Sequence, residues 1–323
     1  MSRLSKLALA VAAAICLIGS AQAQDYPTRS VKFIVPFGAG GPADVFARVL
    51  AQHLSEQLKQ SFVVENRPGA GSIIGTDAVA KSAPDGYTLL VMSNTHTVNE
   101  TLSPNKPFVL MKDFVPVAAI NQSDLLMVVH PSVAAKDLKE FIALAKAKPG
   151  ELSYASSGTA TPYHMAGELF KSMSGTNILH VPHKASGEAR NAVLGGHVQM
   201  MFDAITTMTE NAKAGQVRPL ATTGTTRSSL TPDVPTVAEA GVPGYEATIW
   251  LGVMAPKGTP QPVVDKLNAE INKIINLPDV KAAWAQQGAN PLVMTPSEFE
   301  AFLGKDIEKW ANVVKTANIK LGQ

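Results

Sequence analysis

Short apolar runs that end in clusters of small residues and then open into helical periodicities recur along this 323-residue chain. No other feature constrains its fold as tightly. Val31–Val35 is the first such run. It gives way to Gly38-Ala39-Gly40-Gly41, after which Phe46, Leu50, Leu54 and Leu58 return every fourth residue beside Val45 and Val49. The pattern then predicts a strand over Phe62–Glu65, a helix over Ile73–Lys81, a turn at Pro84-Asp85-Gly86 and a strand over Thr88–Met92. Strand–helix–strand repetition calls for a parallel sheet covered by helices, because the crossover helix packs back onto the sheet face.

The same grammar restarts after residue 122. Strands are expected at Leu125–Val129, Leu152–Ala155, Ile178–Val181, Gln199–Phe202 and Val217–Ala221, with helices at Ala135–Lys146 and Pro162–Ser174. A Pro-rich stretch, Leu230–Tyr245, precedes an apolar segment at Thr248–Ala255 and three helical segments. In the last of these, Phe299, Phe302, Leu303, Ile307, Trp310 and Val314 fall on one face. Two α/β lobes follow: 24–121 with 225–323 as the first, and 122–224 as the second. Hinges are expected at Val117–Asn121 and Thr222–Thr226, where the chain passes between them. About 300 residues suffice for two cores without disulfides or metals.

The opening residues bear on location. Arg3 and Lys6 precede an apolar run of 12 residues, Leu7–Ile18, and Ala21-Gln22-Ala23 has small residues at cleavage spacing. That order predicts a signal peptide over 1–23, removed to leave Gln24 first, since the run is shorter than the roughly 20 residues that span a bilayer. Lipid attachment at Cys16 is disfavoured because bulky Ile15 precedes it. Without Arg3 and Lys6, 26 basic residues face 26 acidic ones. A balanced surface has no general attraction for nucleic acid or anionic lipid. The only cysteine leaves with the signal, which excludes disulfides, thiolate ligands and a cysteine nucleophile from the exported chain. A soluble periplasmic monomer is expected.

Gly38-Ala39-Gly40-Gly41-Pro42-Ala43 formally matches the dinucleotide fingerprint, so a nucleotide-dependent enzyme has to be weighed. Pro36 and Phe37 separate the strand from its first glycine, however, and Glu65 lies 27 residues beyond Gly38, where the fingerprint wants an acid at about 20. A Gly-rich loop before a helix presents backbone N–H groups at the positive end of the helix dipole, which suits any anion. The simpler alternative is a plain turn with Asp44 as a first-turn acid. Ser156-Ser157-Gly158-Thr159-Ala160-Thr161 repeats the arrangement before Pro162, although such hydroxyls also serve as helix caps.

Ser93-Asn94-Thr95 and Asp203 likewise fall at strand C-terminal ends, where α/β sheets hold ligands. The expected ligand-lining set is therefore Phe37, Gly38, Ala39, Gly40, Gly41, Ser93, Asn94, Thr95, Ser156, Ser157, Thr159 and Asp203. Chemistry is poorly represented: there is no G-x-S-x-G, Walker lysine loop or H-E-x-x-H. The close pair His180 and His183 has no carboxylate or cysteine nearby to complete a metal set, so no metal and no cofactor are expected. Met165, Leu169, Met173 and Trp250 read as core.

Several longer segments carry a family likeness. Tyr26-Pro27, Val35-Pro36-Phe37-Gly38-Ala39-Gly40-Gly41, Val64-Glu65-Asn66-Arg67-Pro68-Gly69-Ala70-Gly71, Ala83-Pro84-Asp85-Gly86-Tyr87-Thr88-Leu89-Leu90, Tyr154-Ala155-Ser156-Ser157-Gly158 and Asp233-Val234-Pro235-Thr236-Val237-Ala238-Glu239 occur in order. Together they resemble the Bug family, the periplasmic solute-binding receptors of tripartite tricarboxylate transporters. The resemblance implies a two-lobed type II periplasmic-binding-protein fold with its ligand in the interlobe cleft. It also implies a carboxylate held by backbone amides and water at Phe37–Gly41, with hydroxyls from Ser156, Ser157 and Thr159 opposite. His183 stands where the family commonly has Tyr, and Ala185 where it has Gly. The implied role is a non-enzymatic receptor that delivers a small carboxylate or dicarboxylate, aliphatic or aromatic, to transporter membrane subunits. An extracytoplasmic sensor for a signalling partner is the alternative.

Overall fold

The structure is a computed structural model and describes residues 26–320. The expected signal peptide, Cys16 and the Ala23-Gln24 junction lie outside the described residues. Among the described residues no helix is long and apolar enough to cross a membrane.

In the first lobe, β1 (Val31–Val35) pairs in parallel with β2 (Phe62–Asn66) and β3 (Thr88–Ser93), as the strand–helix–strand pattern requires. Between them lie α1 (Pro42–Leu58) and α2 (Ile73–Ala80), while α3 (Asn94–Leu102) follows β3 directly and α4 (Leu110–Asp113) is a single turn. Four of the five β1 side chains are buried, because helices cover both faces of the sheet. Phe46, Leu50 and Leu54 of α1 meet this sheet, and Phe46 packs edge-on against Trp284 at 5.2 Å. Burying each such side chain stabilises the fold by about 1.5–3 kcal/mol.

The sheet is mixed. β4 (Phe114–Val129) and β9 (Thr248–Pro256) enter it antiparallel, giving the order β2-β1-β3-β9-β4. β4 is one 16-residue strand whose first part, to Asp124, pairs with β9 and whose last part, from Leu125, pairs with β7 (Met200–Ala204) and β8 (Arg218–Thr222). The crossover expected as a hinge loop at Val117–Asn121 is thus strand. Two register shifts, beside Pro116 and Asn121, let the strand bend from one sheet into the other.

The second lobe adds α5 (Leu138–Ala147), β5 (Ser153–Ser156), α6 (Pro162–Ser174), β6 (Leu179–Pro182), α7 (Ser186–Leu194) and α8 (Ile205–Lys213). β5 lies parallel between β6 and β7. Phe141, Phe170 and Phe202 fill one side of this sheet, and Ala189, Val193, Ile205 and Met208 the other. The stretch after β8 departs from the expected division at residue 225. Val237, Val242 and Tyr245 pack into the second lobe's core, and the Tyr245 hydroxyl donates to the Ala166 carbonyl at 2.8 Å. The physical reason is that this stretch bridges back to β8, with Thr222 paired to Thr236, before Thr248 re-enters the first sheet.

The chain ends in α9 (Gln261–Ile275), α10 (Pro278–Ala285), β10 (Ala289–Pro291), which pairs with β4, and α11 (Pro296–Thr316). The apolar face of α11 serves both lobes: Phe299 and Leu303 join the first lobe's core, Trp310 and Val314 the second's.

Candidate functional site

Two strand-to-helix loops face each other across a cavity of about 1070 Å³ between the lobes. On the first-lobe side, β1 ends at Val35 and the chain turns through Pro36–Gly41 into α1. Gly40 has φ +77°, a left-handed conformation that glycine adopts without strain, and Pro42 opens the helix with no side-chain cap. The α1 N-terminus is therefore left to polar groups from the cavity. Asn66 donates to the Phe37 carbonyl at 3.2 Å, fixing how the loop leaves the sheet. Behind Phe37 stands His96, its ring edge-on at 5.8 Å. Burial pulls His96 down to about 4, so this ring is neutral at physiological pH.

A second wall element lies outside the set expected from the sequence. Between β2 and α2, Gly69, Ala70, Gly71 and Ser72 all have positive φ, an unbroken left-handed run that includes two residues with a Cβ. Such strain is held only where surroundings over-determine it. Here Asn99 of α3 donates to the Gly71 carbonyl at 2.8 Å. The signal was present in Pro68-Gly69-Ala70-Gly71, which reads as a turn but carries no ligand chemistry of its own. A Cβ built on Gly71 would lie 4.0 Å from the carbonyl oxygen of Thr159, so the two lobes' loops nearly meet there.

On the opposite side β5 delivers Ser157–Thr161 to the start of α6. Thr161 donates to the Gly158 carbonyl at 2.7 Å, and the Ala160 amide donates to His164 Nδ1 at 3.2 Å, so the loop is braced from within. The Ser157 and Thr159 hydroxyls make no protein hydrogen bond among the described residues and lie on the cavity wall.

Of the residues expected to line the cleft, Phe37, Gly38, Ala39, Gly40, Gly41, Ser93, Thr95, Ser157 and Thr159 are on its wall. Three are behind it. Asn94 is buried and donates to the Thr248 carbonyl at 3.0 Å, tying α3 to β9. Ser156 is fully buried, with its hydroxyl 2.6 Å from His180 Nε2 and accepting from the Gly158 amide. Asp203 is also fully buried, and it accepts from Arg190 Nε at 2.8 Å. Burial pushes the Asp203 carboxyl up, against the pull of Arg190, the Ala204 amide and Thr207. Ser93 lines the wall while capping α3, where it accepts from the Thr95 amide at 3.2 Å.

Arg190 itself, on α7, lies on the wall but outside the set expected from the sequence. A lone arginine in a helix has no local signature, and its partner Asp203 comes from a different element. With the exposed Lys184 it supplies the wall's two permanent cations, and no Asp or Glu lies on the wall among the described residues. Thr95 Oγ1, Ser72 Oγ and His183 Nε2 are buried there with no protein partner. Groups of this kind require a ligand or ordered water to satisfy them. Among the described residues no cluster of three His, Cys, Asp or Glu is placed to hold a metal. Trp250 is buried between Phe299 and Phe302 and donates to Asp306 at 3.2 Å, away from the cavity.

The family model described as the tripartite tricarboxylate transporter family receptor matches residues 46–319. Protein BugT of Bordetella pertussis is 41% identical over 301 residues, covering 93% of this chain and 92% of that protein. Among solved structures, an R. palustris protein with adipate superposes with a TM-score of 0.86 at 35% identity, covering 91% of this chain and 99% of that one. MatC from Rhodopseudomonas palustris with bound malate gives 0.82 at 32% identity, covering 90% and 100%. The periplasmic binding protein BugD gives 0.83 at 34%, covering 91% and 99%. The two-lobed fold, the interlobe cavity and these likenesses agree: the chain belongs to the Bug proteins, the periplasmic receptors of the tripartite tricarboxylate transporter family.

Proposed function

We propose that this protein captures a small carboxylate between its lobes and delivers it to the membrane subunits of a tripartite tricarboxylate transporter, as a periplasmic monomer that carries out no chemistry. One observation carries the reading. The cavity wall combines an uncapped helix N-terminus, free hydroxyls and two cations with no wall carboxylate among the described residues. Each of these favours an anion. In this reading one carboxylate meets the Phe37–Gly41 turn, with Ser157 and Thr159 reaching it from the other lobe. Asn94, Ser156 and Asp203 hold the wall in place from behind. The adipate and malate present in the two R. palustris structures support an aliphatic acid of this size.

Thermal-shift and calorimetric titration of the exported form with adipate, malate and their uncharged diamides tests the proposal, since a ligand that binds only the native state raises its apparent stability. The acids should bind and the diamides should not. Gly40→Val should abolish binding, because a β-branched residue cannot hold the left-handed turn. Arg48→Ala should spare most of it, since Arg48 is engaged with Asp44 and Asn66 outside the cleft. Binding of the diamides alone, or wild-type affinity in Gly40→Val, would overturn the carboxylate reading.

A further inference from the structure

Arg190 stands where the second lobe's wall meets its core. Only its Nε is spent on Asp203, at 2.8 Å, and Asp203 is in turn fixed by the Ala204 amide at 2.8 Å and approached by the Thr207 hydroxyl at 3.4 Å. Asp203 is fully buried, whereas the Arg190 side chain keeps 23% of its exposure and lines the cavity. Among the described residues Nη1 and Nη2 have no protein partner. A guanidinium offers five N–H donors in one rigid plane. Anchoring it through Nε therefore fixes the direction of the remaining pair and leaves a forked donor edge in the cavity.

The electrostatics favour one kind of occupant. Asp203 lies behind Arg190, so an anion in the cavity meets the guanidinium first and the carboxylate beyond it. Lys184, the other cation on the wall, is exposed, and a flexible, well-hydrated ammonium selects poorly for geometry. A planar carboxylate matches the Nη edge and is gripped by two charge-assisted hydrogen bonds. A ligand without a group at this point leaves the donors unpaired once the lobes exclude water, and sites built around such donors reject ligands lacking the partner.

We infer that Arg190 is the specificity-determining residue for a second negative charge: the receptor selects dicarboxylates, one carboxylate at the Phe37–Gly41 turn and the other on the free edge of the Arg190 guanidinium. Asp203 is the positioning residue that aims it. This inference rests on the carboxylate-receptor reading and extends it to a ligand class.

Calorimetry with two matched pairs tests it: adipate against hexanoate, and malate against α-hydroxybutyrate, each pair differing by one carboxylate. Wild-type protein should bind at least one diacid roughly ten-fold or more tightly than its monoacid partner. In Arg190→Gln that ratio should fall to about one, because the group that reads the second charge has gone. Removing Arg190 alone strands Asp203 in the core, so Arg190→Gln with Asp203→Asn is the companion variant, with folding followed by circular dichroism. A folded variant that keeps the wild-type ratio overturns the inference. Wild-type protein that binds each monoacid as well as its diacid overturns it too, yet leaves the carboxylate receptor standing. Wild-type protein that binds none of the four acids sinks that reading and this inference together.

Discussion

The amide of Gly40 donates to the Asp44 carboxylate at 2.9 Å, so the turn that opens onto the cleft is tied to the first turn of the helix it precedes. Burial opposes the charge on Asp44, but hydrogen bonds from Arg48, the Gly40 amide and Asn66 outweigh it and hold the carboxyl below its ordinary range. A lowered folded-state value means a contribution that is full at neutral pH and lost as pH falls below 3.8 towards that lowered value. Asp44→Ala should therefore cost about 1–3 kcal/mol at pH 7, through lost charge-assisted bonds to a buried acceptor. The difference from wild type should narrow in urea unfolding at pH 3. Equal stability at pH 7 would show that the turn holds itself without Asp44.

Much of this scaffold is legible in the residues, and the places where it is not share a cause. Val31–Val35 and Pro162–Ser174 form as expected, because apolar pattern and flanking breakers agree. Ser93-Asn94-Thr95-His96 reads as a turn, and with Thr97 and Asn99 it gives no apolar stripe, yet Asn94–Leu102 is a buried helix. Its polar groups find partners far along the chain: Asn94 at Thr248, Thr97 at Asp306 and Asn99 at Gly71. Val117–Asn121 reads as a crossover between the lobes, although pairing with β9 keeps it extended. In the site, loops of small residues announce themselves. What local pattern does not reveal is the side a side chain takes, and so Ser156 and Asp203 lie behind the wall while Arg190 comes onto it.

Asp124 sits in β4 at the passage between the sheets, where a raised pKa has a visible consequence. Burial, reinforced by the charge of Glu246, pushes its carboxyl up to about 6 from 3.8. Gly224 leaves room for it, since a Cβ there would lie 2.5 Å from Oδ1. An acid whose folded-state value is raised stabilises the fold fully below its unfolded value. That contribution fades as pH rises from about 4 to about 6. Asp124→Asn should consequently stabilise the protein by roughly 1–3 kcal/mol at pH 7. Near pH 4 it should do almost nothing. Denaturant unfolding across that window checks the sign, and a gain that grows as pH falls would refute it.

Gly167 of α6 lies against the Tyr154 ring, where an added Cβ would overlap ring atoms. Tyr154 cannot readily yield, because its hydroxyl donates to Glu168 at 2.7 Å and its ring stacks on His180 at 4.9 Å. Gly167→Ala should destabilise the second lobe by about 1–3 kcal/mol through overpacking, despite the better helix propensity of alanine. Ligand affinity should fall with it, since β5 and α6 carry the Ser157–Thr161 loop. A variant as stable as wild type would mean that the helix and ring separate at little cost.

Closure of the cleft should pivot on two neighbouring strands rather than on loops. β4 changes sheets between Asp124 and Leu125, and β9 begins beside it, with Asp124 opposite Thr248. The Leu125 amide donates to Thr223 Oγ1 at 2.8 Å and the Ala247 amide to the Thr223 carbonyl at 3.0 Å, so both passages are fastened to one residue. A paired two-strand hinge can absorb a rotation through small φ/ψ changes at a few positions. Small-angle scattering is expected to show a smaller radius of gyration with saturating adipate than without ligand, with the bound form matching the near contact of Gly71 and Thr159. Thr223→Val removes the hydroxyl that holds Leu125 and should loosen the pivot, giving a larger radius for the free protein and weaker adipate binding. Superimposable profiles with and without bound ligand, in wild type and Thr223→Val alike, would show that the lobes do not move about these strands.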